Sequence, residues 1–150
     1  MTFLLTPRGT CVRHLILASR LFMKTHFILY VKDQKSSCNF YSAVLETAPT
    51  LDVAGMTEFE LSEESVLGLM PESGIRRLLG DALPDPATAR GIPRAEIYLV
   101  VKDAGAYLSR AVSRGGILLG DVLMRDWGDL VGYCLDPDGH VLAFAQPAQT

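Results

Sequence analysis

The sequence predicts an α+β fold built from two tandem βαβββ modules. Three observations lead to this prediction. An apolar, β-rich run ending in Lys-Asp occurs at residues 27–33 and again at residues 97–103, and such an internal repeat indicates duplicated structural units. Each run is followed by apolar residues at helical spacing. Each copy then closes with strand-like runs, and residues 66–69 match residues 141–144.

Composition limits the class of protein. The chain has 150 residues, of which 49% are hydrophobic and 21% charged, and its net charge is -3, values typical of a globular chain. A weakly acidic chain without a basic stripe is a poor candidate for nucleic-acid binding. No apolar run approaches the roughly 18–20 residues of a membrane span. Three widely spaced cysteines, Cys11, Cys38 and Cys134, form neither a CxxC metal motif nor a disulfide framework, so we expect a cytoplasmic protein.

The segment at residues 1–22 differs from the rest of the chain. It contains no Asp or Glu, and its last twelve residues fit an amphipathic helix, with Val12, Leu15, Ile16, Ser19 and Phe22 on one face. Two interpretations are open. The segment is a targeting peptide, or Met23 is the true start and residues 1–22 are an upstream extension outside the native domain. We favour the extension, because the module pattern begins directly after Met23.

The first module is expected at residues 23–71. Its opening strand ends at Asp33, a residue type that caps helix N-termini, and a helical stripe of Cys38, Tyr41, Val44 and Leu45 follows. Residues 56–61 and 66–70 predict a hairpin around the polar residues 62–65. The short strand near residues 50–53 has the weakest pattern.

A linker rich in Pro and Gly is expected at residues 72–93, with helical turns near residues 75–82. The second module follows at residues 94–147. Asp103 is its helix cap, Gly115 and Gly116 stop the helix, and strands are predicted at residues 117–124, 131–135 and 141–146. The Asp136-Pro137-Asp138-Gly139 sequence is a strong turn signal between the last two strands.

Two βαβββ copies in one chain resemble the vicinal oxygen chelate superfamily, which includes glyoxalase I, extradiol dioxygenases and bleomycin resistance proteins. Three segments carry the resemblance: Asp33 with Phe40-Tyr41-x-x-Val44-Leu45, Asp126-Trp127-Gly128-Asp129 with Val131-Gly132-Tyr133, and Asp136-Pro137-Asp138-Gly139-His140 before an apolar strand. The resemblance covers residues 25–147. It implies a curved mixed sheet around a cavity, and it does not by itself imply one function.

The resemblance also raises the question of a metal. In metal-using members, one ligand opens the first strand of each module and one lies midway along each last strand. Here His26 and Glu96 occupy the opening positions, but Gly68 and Ala143 occupy the closing ones and have no donor side chains. A catalytic site normally needs about three protein ligands. We therefore expect no metal or other cofactor; if a metal is bound, His26 and Glu96 are its expected ligands.

Strand alternation sorts the side chains expected around the cavity. One face of the opening strands is apolar and should pack under the helices; it consists of Phe27, Leu29, Val31, Ile97, Leu99 and Val101. The opposite face carries the candidate ligand-binding residues His26, Tyr30, Glu96 and Tyr98. Small Gly68 and Ala143 would enlarge the cavity on that face.

Two further candidates lie in a polar loop of the second module. Trp127, the single tryptophan of the chain, suits stacking on a planar ligand, and packing at a subunit or module interface is the competing interpretation. Arg125 suits an anionic group of a ligand, and the alternative is a surface ion pair with Asp126 or Asp129.

Three hypotheses follow, and the sequence leaves open whether the protein is an enzyme. The first is a metal-free protein that binds a small aromatic or cationic molecule, expected as a homodimer by resemblance to the bleomycin resistance branch. The second is a metal-dependent lyase or dioxygenase with a divergent site that uses His26 and Glu96. The third is an interaction module that docks on a partner or a membrane through residues 1–22.

Overall fold

A computed structural model describes residues 25–82, 84–93 and 95–148. The expectations for residues 1–22 lie outside the described residues. The strands are β1 (Thr25–Val31), β2 (Leu51–Val53), β3 (Met56–Ser62), β4 (Ser65–Pro71), β5 (Glu96–Val100), β6 (Ile117–Met124), β7 (Asp129–Leu135) and β8 (Val141–Pro147), and the α-helices are α1 (Gln34–Leu45), α2 (Glu72–Leu79) and α3 (Ala104–Ser113). Single 3-10 turns follow at Gly80–Ala82 and Pro86–Thr88.

The strands form two four-stranded sheets with the same topology. Their orders are β1-β4-β3-β2 and β5-β8-β7-β6. In each sheet the first strand pairs in parallel with the last, and the other neighbours are antiparallel. The predicted α+β architecture of two βαβββ modules is therefore confirmed, including the short strand β2.

The helices begin where the sequence predicts. The Asp33 carboxylate accepts a hydrogen bond from the Ser36 backbone N–H at 2.7 Å, and Asp103 accepts from the Ala106 N–H at 2.9 Å. These bonds satisfy backbone donors that have no partner within the helix. Helix α2 starts at Glu72, three residues before the predicted helical turns of the linker.

One hydrophobic core serves both modules. Residues of β1 and α1, such as Val31 and Tyr41, belong to the same buried cluster as Leu108 of α3 and Phe144 of β8. Helix α1 contacts helix α3 directly. The apolar faces of β1 and β5 pack in this core as predicted, with one exception: Phe27, at the start of β1, is 59% exposed.

A polar network joins the closing turn of the second module to the first module. Buried Tyr41 donates its hydroxyl to Asp136 at 2.8 Å. The Asp138 carboxylate accepts from the Lys32 backbone N–H at 2.9 Å and from the Ser37 hydroxyl at 2.7 Å. The predicted turn at residues 136–139 thus also holds the two modules together.

No helix in residues 25–82, 84–93 and 95–148 has the length and apolarity needed to cross a membrane.

Candidate functional site

Each sheet has one face covered by helices, and we call the opposite face its open face. Helix α1 packs on the first sheet and α3 on the second. Side chains alternate between the two faces of a strand. In β1 and in β5, the residues that alternate with the core residues therefore lie on the open faces. These residues include the predicted site residues His26, Tyr30, Glu96 and Tyr98.

On the open face of the first sheet, His26 contacts Glu58. Their Nδ1 and Oε1 atoms are 3.5 Å apart, and the side chains are 40% and 24% exposed. Glu58 lies on β3, two strands away from β1. The contact therefore spans β4, on which Val66 pairs with His26 and Gly68 pairs with Glu58.

The open face of the second sheet carries a chain of hydrogen bonds. The Trp127 indole donates to the Tyr98 hydroxyl at 3.1 Å, and that hydroxyl donates to the Asp129 carboxylate at 2.8 Å. Trp127 is 56% exposed and Tyr98 36% exposed. Some burial, together with the nearby Asp129 carboxylate, raises the Tyr98 pKa, and the Trp127 hydrogen bond opposes this shift. The hydroxyl is therefore kept protonated as a donor.

Arg125 borders this aromatic cluster. Its guanidinium group lies 5.2 Å from the centre of the Tyr133 ring and donates to the Val131 carbonyl at 3.3 Å. Its Nε atom is buried without a hydrogen-bond partner among the described residues. Within the described residues, Arg125 forms no ion pair with Asp126 or Asp129. The surface ion pair considered for Arg125 is therefore absent there.

The expected extra volume at Gly68 and Ala143 is not found. A Cβ atom on Gly68 would lie 3.1 Å from Ile28 Cγ1 and 3.5 Å from Met56 Sδ, so neighbouring side chains already fill that space. Ala143 is fully buried in a small cluster with Val131. The prediction was wrong because the larger side chains of adjacent strands close over a small residue.

Tyr30 and Glu96 line a separate cavity of about 910 Å³. We call it the linker groove, because its walls are residues 27–30 of β1, residues 95–97 around the start of β5, the turn at residues 137–140, and residues 84–93 of the linker. No hydrogen bond or ion pair joins His26 to Glu96 within residues 25–82, 84–93 and 95–148.

The predicted site residues thus fall into three groups. His26 lies with Glu58, Tyr98 lies with Trp127 beside Arg125, and Tyr30 and Glu96 lie in the linker groove. Sequence reasoning did not select Glu58 or Asp129 as site residues. The Asp-Trp-Gly-Asp motif was a sequence signal for Asp129, and the two carboxylates Glu58 and Glu60, two residues apart on one strand, were a signal for Glu58.

The donor side chains that meet within the described residues are too few to hold a metal ion. In the described part of the chain, no group of three or more His, Cys, Asp or Glu residues is placed to hold an ion. His26 and Glu58 supply two donors, and Gly68 and Ala143 add none. These residues do not fit a complete metal site within one chain.

Comparison with known proteins agrees with the fold and the repeat. The family described as the Glyoxalase/Bleomycin resistance protein/Dioxygenase superfamily matches residues 25–144. No curated protein matches the chain.

Solved structures of that family resemble the whole two-module unit. A glyoxalase-related enzyme from Fulvimarina pelagi is 23% identical, with a TM-score of 0.71 and coverage of 84% of this chain and 88% of that one. A glyoxalase/bleomycin resistance protein/dioxygenase from Nocardioides is 18% identical, with a TM-score of 0.67 and coverage of 89% and 88%. A family enzyme from Burkholderia phytofirmans is 12% identical, with a TM-score of 0.70 and coverage of 82% and 97%. At these identities the likeness shows the fold, and together with the match over residues 25–144 it leads to one conclusion: the chain belongs to the Glyoxalase/Bleomycin resistance protein/Dioxygenase superfamily.

Proposed function

We propose that the protein binds a small aromatic or cationic molecule on the open faces of its sheets, without using a metal. The observation that carries the proposal is the hydrogen-bonded chain from Trp127 through Tyr98 to Asp129. It combines two partly exposed aromatic rings with one carboxylate. Aromatic faces and a carboxylate together attract organic cations.

The surroundings of this cluster support a binding role. Ala143, Ala145 and Val131 form a buried apolar floor with Tyr133 packed against it. A preformed apolar surface with a few fixed polar groups is the usual composition of a ligand site. Of the three groups of predicted site residues, the cluster of Trp127, Tyr98 and Asp129 is the proposed centre of binding.

Trp127 provides the test, since it is the single tryptophan of the chain. Its fluorescence is titrated with matched cationic, neutral and anionic aromatic compounds. We expect the cations to quench or shift the emission at the lowest concentration. Asp129→Asn should weaken cation binding about tenfold, since a charged hydrogen bond contributes about 1.5–3 kcal/mol. Binding that is equal for all three classes, or absent, would reject the proposal.

Tyr98→Phe and Tyr107→Phe form a matched pair for the hydroxyl. Tyr98→Phe removes the link between Trp127 and Asp129 and should weaken binding about fivefold. Tyr107, on α3, packs at a tilt against the Phe144 ring and lies under the Arg110 guanidinium group, and its substitution should leave the titration unchanged.

We also propose that the protein is a homodimer, and the edge strand β6 supports this. Its side chains Ile117, Leu119 and Leu123 are 60%, 53% and 56% exposed, and β6 is the last strand of its sheet. An edge strand with exposed apolar side chains favours association with another chain.

Sedimentation over a range of protein concentrations tests the dimer. Leu119→Lys should shift the protein toward the monomer, because it places a charge on the apolar edge. Leu78→Lys is the control, since Leu78 is 71% exposed on α2, away from β6. A wild-type monomer at all concentrations, or equal effects of both substitutions, would contradict the proposal.

The alternative is a metal-dependent lyase or dioxygenase with a divergent site at His26 and Glu96. The contact between His26 and Glu58 favours it, because two potential ligands already lie 3.5 Å apart. Metal analysis of protein purified without chelator distinguishes the two proposals. A stoichiometric metal that is lost in His26→Ala would replace the metal-free proposal.

A further inference from the structure

The linker groove has apolar walls and lies beside the edges of the two sheets. Strands β1 and β5, which supply two of its walls, are each at one end of the strand order of their sheet. Phe27 and Ile28 of β1 are 59% and 42% exposed, and Ile92 of the linker is 71% exposed; all three line the groove. Its volume of about 910 Å³ is in the range of pockets that hold small organic ligands.

Acidic and basic side chains are close to balanced around this space. The groove and an adjoining pocket are lined by Lys32, Arg76, Arg77 and Arg90 and by Glu72, Asp85, Glu96 and Asp138. Asp85 pairs with Arg76 at 3.4 Å, and the Asp138 carboxylate already accepts hydrogen bonds from the Lys32 backbone N–H and the Ser37 hydroxyl. A charged ligand would gain little net attraction here and would still lose part of its hydration. The groove therefore favours an uncharged ligand.

His140 supplies a fixed polar group in the groove wall. Its Nδ1 atom is 2.9 Å from the Asp136 carboxylate, and Asp136 is itself fixed by the Tyr41 hydroxyl at 2.8 Å. Because an ionised carboxylate accepts the hydrogen bond, Nδ1 carries the proton. The Nε2 atom has no hydrogen-bond partner within the described residues, so it is the ring nitrogen left for a ligand.

The protonation of His140 narrows the chemistry of that ligand. Burial lowers the His140 pKa, but the Asp136 hydrogen bond and the charges of Asp136, Asp138 and Glu72 outweigh burial and raise it. Both forms of the ring are therefore present near neutral pH. With Nδ1 protonated, Nε2 accepts a hydrogen bond in the neutral ring and donates one in the charged ring. A hydroxyl group matches both forms, because it donates and accepts.

We propose that the linker groove binds an uncharged, apolar molecule that carries a hydroxyl group. The apolar body lies against Phe27, Ile28 and Ile92, and the hydroxyl bonds to His140 Nε2. This site is separate from the open-face cluster, because Trp127, Tyr98 and Asp129 do not line the groove.

Calorimetric titration of the full chain with 1-octanol, octanoate and octylammonium tests the proposal. The three probes share an eight-carbon chain and differ in head-group charge. We expect 1-octanol to bind at least about tenfold more tightly than either ion, a difference of about 1.4 kcal/mol. No binding of 1-octanol, or binding of either ion that is as tight, would overturn the proposal.

A matched pair of substitutions locates the apolar body. Ile92→Ser should weaken 1-octanol binding several-fold, because it removes apolar surface that the ligand covers. Leu78→Ser is the control, since Leu78 is also 71% exposed but does not line the groove. Equal effects of the two substitutions, or no effect of Ile92→Ser, would contradict this placement.

The hydroxyl contact is tested at His140 with a second neutral probe. 1-Fluorooctane has the same carbon chain as 1-octanol but no hydroxyl proton. His140→Gln should weaken 1-octanol binding about fivefold, as expected for the loss of one hydrogen bond, and leave 1-fluorooctane binding unchanged. Unchanged 1-fluorooctane binding also shows that the groove of the variant is intact. An equal loss for both probes, or no loss for 1-octanol, would reject the contact.

A last variant separates this proposal from the open-face site. Trp127→Phe should leave 1-octanol binding intact even where it alters the binding of aromatic cations. If it abolishes 1-octanol binding, the alcohol occupies the open face and the groove proposal fails.

Discussion

Asp136 accepts more hydrogen bonds than any other side chain described above. Its carboxylate is almost fully buried and accepts from the Tyr41 hydroxyl at 2.8 Å, the His140 ring at 2.9 Å, and the backbone N–H groups of Asp138 and His140 at 2.9 and 2.8 Å. A buried carboxylate is stable only when its desolvation is offset in this way. This one residue therefore shapes the turn and also connects both modules.

Replacing Asp136 should be costly. Asp136→Ala leaves the buried Tyr41 hydroxyl and the His140 ring without their acceptor, and we expect the free energy of unfolding to fall by about 3–5 kcal/mol. Urea denaturation measures the change. Asp126→Ala, at an exposed position of the preceding loop, should change stability by less than about 0.5 kcal/mol. A similar small effect at Asp136 would show that the network does not stabilise the fold.

The Asp136–His140 pair should make stability depend on pH. The folded pKa of His140 is raised by the surrounding Asp136, Asp138 and Glu72 carboxylates, despite burial. Its contribution is therefore fully present below the unfolded-state pKa of about 6.5 and is lost as pH rises through the higher folded-state pKa. The Asp136 pKa is lowered, because its hydrogen bonds to His140 and Tyr41 outweigh burial. Its contribution is present above the ordinary Asp pKa and is lost as pH falls through the lower folded value.

Urea unfolding of wild type and His140→Gln from pH 5 to 9 checks this dependence. The stability advantage of the wild type should be largest near pH 5–6 and should shrink toward pH 9. An advantage that is constant across this range would contradict the assignment.

At the scale of elements, the close packing of backbone carbonyl groups around Gly116 sets the path from α3 into β6. A Cβ atom on Gly116 would lie 2.8 Å from the Ala111 carbonyl oxygen and 2.9 Å from the Leu135 carbonyl oxygen. Both neighbours are backbone atoms that cannot rotate away. The sequence indicated a helix stop at this glycine, but the space beside it is a property of the assembled sheet.

Gly116→Ala should therefore destabilise the protein by about 1–3 kcal/mol, the usual cost of overpacking. Gly74→Ala on α2 is the control. Its Cβ would meet Met70 at 3.5 Å, an ordinary contact, and alanine favours a helix by about 0.5–1 kcal/mol over glycine. Thermal denaturation of the two variants should give midpoints that move in opposite directions, and a shared direction would refute this explanation.

For the whole molecule, the shared core predicts that both modules unfold together. Phe59 in the first module and Phe144 in the second are both fully buried in one cluster. A defect in either module should weaken the contacts of the other, because α1 and α3 pack against each other.

Phe59→Leu tests this coupling, since it lies in the first module while Trp127 reports on the second. We expect a single unfolding transition, which Trp127 fluorescence and far-UV circular dichroism should report equally. Its midpoint should fall, because the substitution lowers the free energy of unfolding by about 1–3 kcal/mol. Val53→Ala, at an exposed position of β2, is the control, and protein concentration is held fixed. An unmoved fluorescence transition would mean that the modules unfold independently.

Several features followed from local sequence patterns. The repeat, the caps at Asp33 and Asp103, the turn at residues 136–139 and the core faces of β1 and β5 each depend on alternation, capping or turn chemistry, which act between near neighbours in the chain. The exposure of Phe27 did not follow, because it depends on where the neighbouring elements end. The domain limits, the cytoplasmic location and the roles of the six candidate site residues stay predictions.

The sequence by itself therefore determined the βαβββ repeat, the family and the absence of donor side chains at Gly68 and Ala143, since these are set by residue order. Only the tertiary structure decided which side chains meet. It placed Glu58 beside His26, joined Trp127 to Asp129 through Tyr98, filled the space over Gly68, and formed a groove beside the linker. The physical reason is that these contacts join residues on different strands and modules, whose separation depends on sheet register and module packing rather than on any local pattern.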